Sequence, residues 1–185
     1  MTGGRVRGRN LATLKGLNIR PSSDLVRQAI FNLIGHDISG LLVLDLFAGT
    51  GVLGIEALSR GALRALFIDK SEQAVKIIKK NLRLCGYESS GSVIKKDLGK
   101  GLPRGAFYLN RKFDLVFIDP PYGKALIPPL LKEISEKEVL KPSAIVVSKS
   151  SNMDQVHATY GDLTMVNSKY YGQTNISIYH YGVNK

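Results

Sequence analysis

Four consecutive residues, Asp119-Pro120-Pro121-Tyr122, carry the most specific chemical signal in the chain. Two prolines in succession fix φ twice and remove two N–H donors. What remains is a rigid segment that presents carbonyl oxygens and one carboxylate beside a flat aromatic ring. Such an acceptor-only surface suits a planar donor, and the exocyclic amine of a nucleobase is one; Tyr122 offers the base a face to stack on. That amine is a poor nucleophile, because its lone pair is delocalised into the ring. Hydrogen bonds from its N–H groups to Asp119 and the Pro120 carbonyl would hold the nitrogen in line with a methyl sulfonium and stabilise positive charge as it develops. Asp119 need not be a strong base at the outset, since the amine proton becomes acidic only during transfer. A proline-rich turn after a strand would account for Pro120 and Pro121 but not for Asp119 and Tyr122. The chemistry requires no metal.

A second constellation lies upstream. The stretch Asp45-Leu46-Phe47-Ala48-Gly49-Thr50-Gly51-Val52-Leu53-Gly54 contains a G-x-G-x-x-G pattern. Glycines there permit a sharp turn and a close approach of backbone to ligand. Asp69 follows Gly51 by 18 residues, the spacing of a carboxylate that accepts hydrogen bonds from ribose hydroxyls. Those features suit NAD nearly as well as S-adenosylmethionine. Asp45 separates the two, because a carboxylate just before the glycines would repel a diphosphate and attract a cationic methionine end. S-adenosylmethionine is therefore the expected cofactor, with Asp45, Phe47, Gly49, Thr50, Gly51 and Asp69 as its candidate contacts. Asp97 is placed to approach the adenine. The plainer readings are a strand-end Asp45 that caps the next turn and an Asp97 that faces solvent in a loop.

The charge points to a polyanionic partner. The chain has 185 residues with 26 Lys+Arg against 15 Asp+Glu, a net charge of +11. All of the excess falls in residues 1–112, which hold 19 basic and 8 acidic residues, while residues 113–185 hold 7 of each. The first twenty residues contain Arg5, Arg7, Arg9, Lys15 and Arg20 and no acid. A basic arm of this kind is an electrostatic footprint for a phosphate backbone, so Arg5, Arg7, Arg9 and Arg20 are candidate RNA contacts. A second basic group, Lys95, Lys96, Lys100, Arg104, Arg111 and Lys112, reads equally as surface charge or as a phosphate-contacting rim. Hydrophobic residues at 44% and charged residues at 22% exclude a disordered chain. No apolar run approaches the ~18 residues of a spanning helix, and the basic opening has no signal core. One cysteine, Cys85, excludes an internal disulfide or a Cys-based zinc cluster and reads as a buried small hydrophobe. A cytoplasmic protein is expected.

These residues must be held by elements that bring them together. Residues 1–20 read as a basic arm, a β-hairpin with short strands at Arg5-Val6-Arg7 and within Leu11–Leu17, and residues 21–185 as the methyltransferase domain. Pro21 with Ser22 or Ser23 should start a helix whose apolar positions are Leu25, Val26, Ile30, Leu33 and Ile34. Leu41–Leu46 is a continuous apolar run, as in a strand buried on both faces. Helices and strands then alternate, with strands at 65–68, 92–94, 114–118 and 144–147 and helices opening at Gly49–Gly54, at Ser71 and at about Leu126. The tail from Leu163 to Tyr181 alternates as two strands around Gly172, which places Tyr170 and Tyr171 in core packing. The fold class is α/β: a mostly parallel, doubly wound sheet with a C-terminal antiparallel strand pair.

Several stretches together resemble the RsmD family of bacterial 16S rRNA guanine-N2 methyltransferases. They are Gly4-Arg5-Val6-Arg7-Gly8-Arg9, Arg20-Pro21-Ser22-Ser23-Asp24, Leu44–Gly51, Glu56-Ala57-Leu58-Ser59-Arg60-Gly61-Ala62, Asp119–Tyr122 and Lys169-Tyr170-Tyr171-Gly172-Gln173-Thr174. The resemblance implies a Rossmann-like S-adenosylmethionine-dependent methyltransferase fold. It also implies that Asp45, Gly49 and Gly51 hold the cofactor, Asp69 its ribose, and Asp119–Tyr122 the target base. The implied partner is 16S rRNA, within the small ribosomal subunit, with neither a membrane nor a metal involved. One departure is Val147-Ser148-Lys149, which lacks an acid where the family would place a glutamate. Two rivals stay open: a DNA adenine-N6 methyltransferase, for which no target-recognition domain is visible, and an NAD-dependent oxidoreductase, which leaves Asp119–Tyr122 unexplained. The arm looks separable from the cofactor loop, so its loss should weaken RNA binding and leave affinity for S-adenosylmethionine intact.

Overall fold

The computed structural model describes residues 1–13, 24–35, 37–103, 112–151 and 154–182. Helix α1 (Asp24–Ile34) is followed by β1 (Leu42–Leu46), α2 (Val52–Ser59), β2 (Arg64–Asp69), α3 (Glu72–Cys85) and β3 (Gly91–Lys95). A short 3-10 turn at Leu98–Lys100 comes next, then β4 (Phe113–Ile118), α4 (Ile127–Glu136), β5 (Leu140–Ser151), β6 (Thr159–Tyr160), β7 (Leu163–Tyr171) and β8 (Thr174–Tyr181). All eight strands join one sheet in the order β3-β2-β1-β4-β5-β8-β7-β6. The first five strands pair in parallel, and β8, β7 and β6 extend the sheet antiparallel. The expected α/β architecture, with its antiparallel C-terminal strands, is the observed one.

Burial on both faces explains the apolar runs. Val43, Leu115 and Phe117 pack with Phe31, Ile55 and Ile78 of the first three helices. Their neighbours Leu44, Leu46, Val116 and Ile118 face the other way, against Leu130, Leu131 and Ile134 of α4. By the same alternation Asp45 points with Val43 toward α2. Gly54 lets that helix lie close, since a Cβ on it would sit 2.3 Å from the Phe67 ring. Helix α3 begins where the Ser71 hydroxyl accepts the Ala74 N–H (3.3 Å) and ends at Gly86, with φ 74°. Cys85 is buried at that end.

Some expectations need correction. Strand β5 is far longer than 144–147, because it pairs with β8 as far as Ser151 and Thr174, beyond its last partner in β4 at Ser148. Leu25 is exposed, and Phe31 takes the core position on α1. Tyr170 is 65% exposed rather than in the core, while Tyr171 does pack there.

The arm is the largest correction. Residues 1–13 contain no strand, so the expected β-hairpin is absent from the described part of the arm. They form a compact turn instead, in which the Arg7, Gly8 and Arg9 N–H groups donate to the Gly4, Met1 and Val6 carbonyls at 3.2, 2.9 and 3.1 Å. The arm's remaining donors find partners on helices rather than on a second strand. The Thr2 N–H and hydroxyl donate to the two oxygens of fully buried Glu56 (2.9 and 2.8 Å), a carboxylate also flanked by Arg27 (3.3 Å) and Arg60 (2.9 Å). The Arg5 N–H donates to the Ser59 carbonyl (2.7 Å) and the Val6 N–H to its hydroxyl (3.1 Å). Gly4 makes the close approach possible, since a Cβ there would fall 1.8 Å from the Ser59 oxygen. Arg20, the Pro21–Ser23 helix start, Arg104 and Arg111 lie outside the described residues.

Candidate active site at the β1–β4 switch point

Strand order reverses between β1 and β4, which are neighbours in the sheet although β2 and β3 follow β1 in sequence. Open α/β sheets bind ligands in the crevice at such a point, beyond the carboxyl ends of the strands. Here those ends carry the glycine loop after β1 and Asp119–Tyr122 after β4. The Asp119 N–H donates to the Leu46 carbonyl at 3.3 Å, which ties the two segments directly.

The glycine loop is wound tightly. Phe47, Gly49 and Gly51 all have positive φ (59°, 56° and 78°), and Gly51 forms the N-terminal cap of α2. The Ala48 N–H donates to the Ile68 carbonyl (3.1 Å) and the Gly51 N–H to the Ala48 carbonyl (2.7 Å). Asp69, at the end of β2, accepts the Gly49 N–H at Oδ2 and the Ser71 N–H at Oδ1, both at 2.9 Å. Asp97, after β3, accepts the Gly99 N–H at 3.1 Å. Asp45 is 1% exposed, and its Oδ2 accepts the Gly54 N–H at 2.9 Å, so it does cap the start of α2. Burial pushes its carboxyl well above the usual carboxylate range. The Gly54 N–H works against that shift, and the negative charges of Asp119 and Asp69 reinforce it.

Asp119 is held from a side that the sequence reading passed over. The Lys149 ammonium, from the end of β5, lies 2.8 Å from Asp119 Oδ2 and 5.9 Å from the centre of the Tyr122 ring. Lys149 is 7% exposed, so this is a largely buried cation at the strand end where an acid was expected. The signal that could have revealed it is Lys149 itself, a charge just after the apolar run Ala144–Val147 at a strand end. Tyr122 is half exposed, and its hydroxyl lies 3.0 Å from Thr174 Oγ1 in the turn between β7 and β8. That turn thus positions the aromatic ring, which gives the Gly172-Gln173-Thr174 stretch a local purpose. Beside Pro120, Pro121 and Tyr122 opens a groove of about 910 Å³, walled also by Leu126, Ser151, Gln155 and Gln173.

Not every candidate converges here. Arg5 sits at the Ser59 end of α2, away from the glycine loop at the helix start. The Arg9 guanidinium donates to the Leu84 carbonyl near the far end of α3. Arg5, Arg7 and Arg9 are exposed but are not brought to the crevice. Among the described residues of the arm, Ala12 reaches toward the crevice through Asn81, whose side chain also donates to the Thr50 carbonyl (2.9 Å). The arm and the glycine loop are thus linked rather than separable.

Comparison with known proteins agrees with this architecture. The family described as "Conserved hypothetical protein 95" matches residues 1–180. YlbH of Bacillus subtilis, which carries the provisional name of an rRNA methyltransferase, is 36% identical over 176 residues, covering 95% of each chain. Ribosomal RNA small subunit methyltransferase D of Haemophilus influenzae is 31% identical over 176 residues, covering 94% of this chain and 89% of that protein. The solved structure of Escherichia coli yhhF, provisionally named a methyltransferase, superposes with a TM-score of 0.80 at 28% identity, covering 98% of this chain and 97% of that one. With the fold, the glycine loop and Asp119–Tyr122 all in place, the chain belongs to the RsmD family of S-adenosylmethionine-dependent rRNA methyltransferases.

Proposed function

We propose that this protein transfers the methyl group of S-adenosylmethionine to the exocyclic N2 amine of a guanine in 16S rRNA of the small ribosomal subunit. The observation that carries the reading is the Asp119 N–H bond to Leu46, which sets an amine-accepting segment against a cation-favouring loop. The cofactor supplies an electrophilic methyl on a positively charged sulfur. Asp45 and Asp69 set carboxyl groups against the glycine loop, where a dinucleotide diphosphate would be repelled, which disfavours the oxidoreductase alternative. Asp69 and Asp97 offer carboxylate oxygens to the ribose and the adenine, and Phe47, Gly49, Thr50 and Gly51 shape the loop around them.

A guanine must leave its stack to reach Asp119, and the groove beside Tyr122 provides room for it. Asp119 and the Pro120 carbonyl accept the amine N–H groups and fix the nitrogen. With the cofactor bound, the nitrogen would take the methyl as the sulfonium leaves as a neutral thioether, and Asp119, already accepting one amine N–H, would take the proton released. Arg5, Arg7 and Arg9 contact RNA backbone away from the crevice, from the turn docked at the Ser59 end of α2. Arg20 belongs to the same basic stretch. Replacing Asp119 tests the reading: Asp119→Ala should lower methyl transfer by about a thousandfold, the scale of one lost transition-state contact, while S-adenosylmethionine still binds. Unchanged transfer in a labelled-methyl assay would remove Asp119 from the chemistry.

A further inference from the structure

Asn81 lies in the middle of α3 with no accessible surface. Asparagine is a poor residue for a helix interior, so its place there needs another reason. Its amide is used at both ends. Oδ1 accepts the Ala12 N–H at 2.8 Å, and Nδ2 donates to the Ala12 carbonyl at 3.1 Å and the Thr50 carbonyl at 2.9 Å. The first two bonds imitate a strand pairing between a side chain and the arm. The third grips the residue before Gly51, at the turn where the glycine loop becomes helix α2. Aspartate could accept but not donate, and leucine or methionine could do neither. One buried amide therefore spans the arm, the cofactor loop and α3.

We propose that Asn81 is a positioning residue that couples seating of the N-terminal arm to the shape of the cofactor loop, so that RNA on the arm and S-adenosylmethionine in the loop favour each other's binding. This rests on the reading above that the loop holds the cofactor and the arm meets RNA. The physical basis is shared geometry. When the arm is seated, Ala12 fixes the amide, and the fixed amide holds the Thr50 carbonyl. When the arm lifts, the amide is left to rotate and the loop loses an anchor. Coupling of this kind is reciprocal, since whatever stabilises the seated arm must raise cofactor affinity by the factor that cofactor raises seating.

The test is a binding cycle by calorimetry with S-adenosylmethionine and the full chain, Asn81→Ala, a deletion of residues 2–12, and both changes together. Each single change should weaken cofactor binding by about fivefold or more, the lower end of allosteric couplings. The double change should be no worse than Asn81→Ala alone, because it breaks the same link twice. The deletion leaves Asn81 untouched, so it carries the test if Asn81→Ala does not fold. Hydrogen exchange on the wild-type chain gives a readout that simple support of the fold would not move: cofactor should slow exchange in the peptide containing Ala12. A deletion that leaves cofactor affinity unchanged, effects that multiply, or unaltered exchange at Ala12 would overturn the coupling alone. No binding to the wild-type chain would overturn the cofactor reading and the coupling with it.

Discussion

Asp45 and Lys149 are buried charges on neighbouring sides of one crevice, and each is costly for the fold. Burial raises the Asp45 carboxyl, so the native state binds that proton more tightly than the unfolded chain does. Stability therefore falls as pH rises from the ordinary carboxyl range, about 4, through the raised value. Asp45→Asn keeps an acceptor for the Gly54 N–H and discards the charge. Thermal melts should show it at least as stable as the wild type at neutral pH, with the difference closing toward pH 4. Its affinity for S-adenosylmethionine should fall tenfold or more, about 1.4 kcal/mol. A variant that is both less stable and equally tight would contradict a charge kept for the ligand. Lys149 pairs with Asp119 at 2.8 Å, and removing one member of a buried pair costs more than the pair contributes. Lys149→Met should melt earlier and lose methyl transfer by about tenfold or more, with cofactor affinity within twofold, and Lys149→Arg should recover part of the rate. Equal losses in cofactor binding and turnover would mean that Lys149 supports the crevice as a whole rather than Asp119.

At the scale of elements, the arm and the β7–β8 turn take roles that their sequences only partly announce. Docking on Glu56, Ser59 and Asn81 replaces the internal pairing of a hairpin, because Gly4 lets the backbone meet the end of α2. Its basic residues are consequently unequal. All three arginines are exposed, but the Arg9 guanidinium also donates to the Leu84 carbonyl and supports the docked turn. Replacing Arg5 and Arg7 together with Ala should leave the melting temperature unchanged and weaken RNA binding. The slope of log affinity against log salt should flatten by about one for each arginine. An unchanged slope in a salt titration would show that RNA does not use this face. Thr174 at the start of β8 holds the Tyr122 hydroxyl, so the antiparallel strands also brace one wall of the groove beside Tyr122.

At the scale of the whole molecule, the sheet was readable in advance because its strands are buried on both faces. Val43, Leu44 and Leu46 and Leu115 to Ile118 are apolar for that reason, and their neighbouring glycines and prolines mark where each strand ends. That the glycine loop and Asp119–Tyr122 face one crevice followed from their place at the carboxyl ends of parallel strands. Contacts between segments distant in sequence were not readable. Nothing adjacent to Lys149 announces Asp119, and nothing near Asn81 announces Ala12 and Thr50, because such pairs exist only once the chain has folded. Alternation likewise misled for Tyr170, since β7 lies near the sheet edge and one of its faces meets solvent. The net charge of +11 shares this limit, for it indicates a polyanion without saying which. In the proposed reading, what is done to that polyanion depends on Asp119-Pro120-Pro121-Tyr122 and on the base that reaches it. Labelled methyl transfer to naked 16S rRNA, assembled 30S particles and duplex DNA, followed by nucleoside analysis, tests this most directly. The label should appear as N2-methylguanosine in rRNA, free or assembled, and label in N6-methyladenine of DNA, or in no nucleoside at all, would contradict the account.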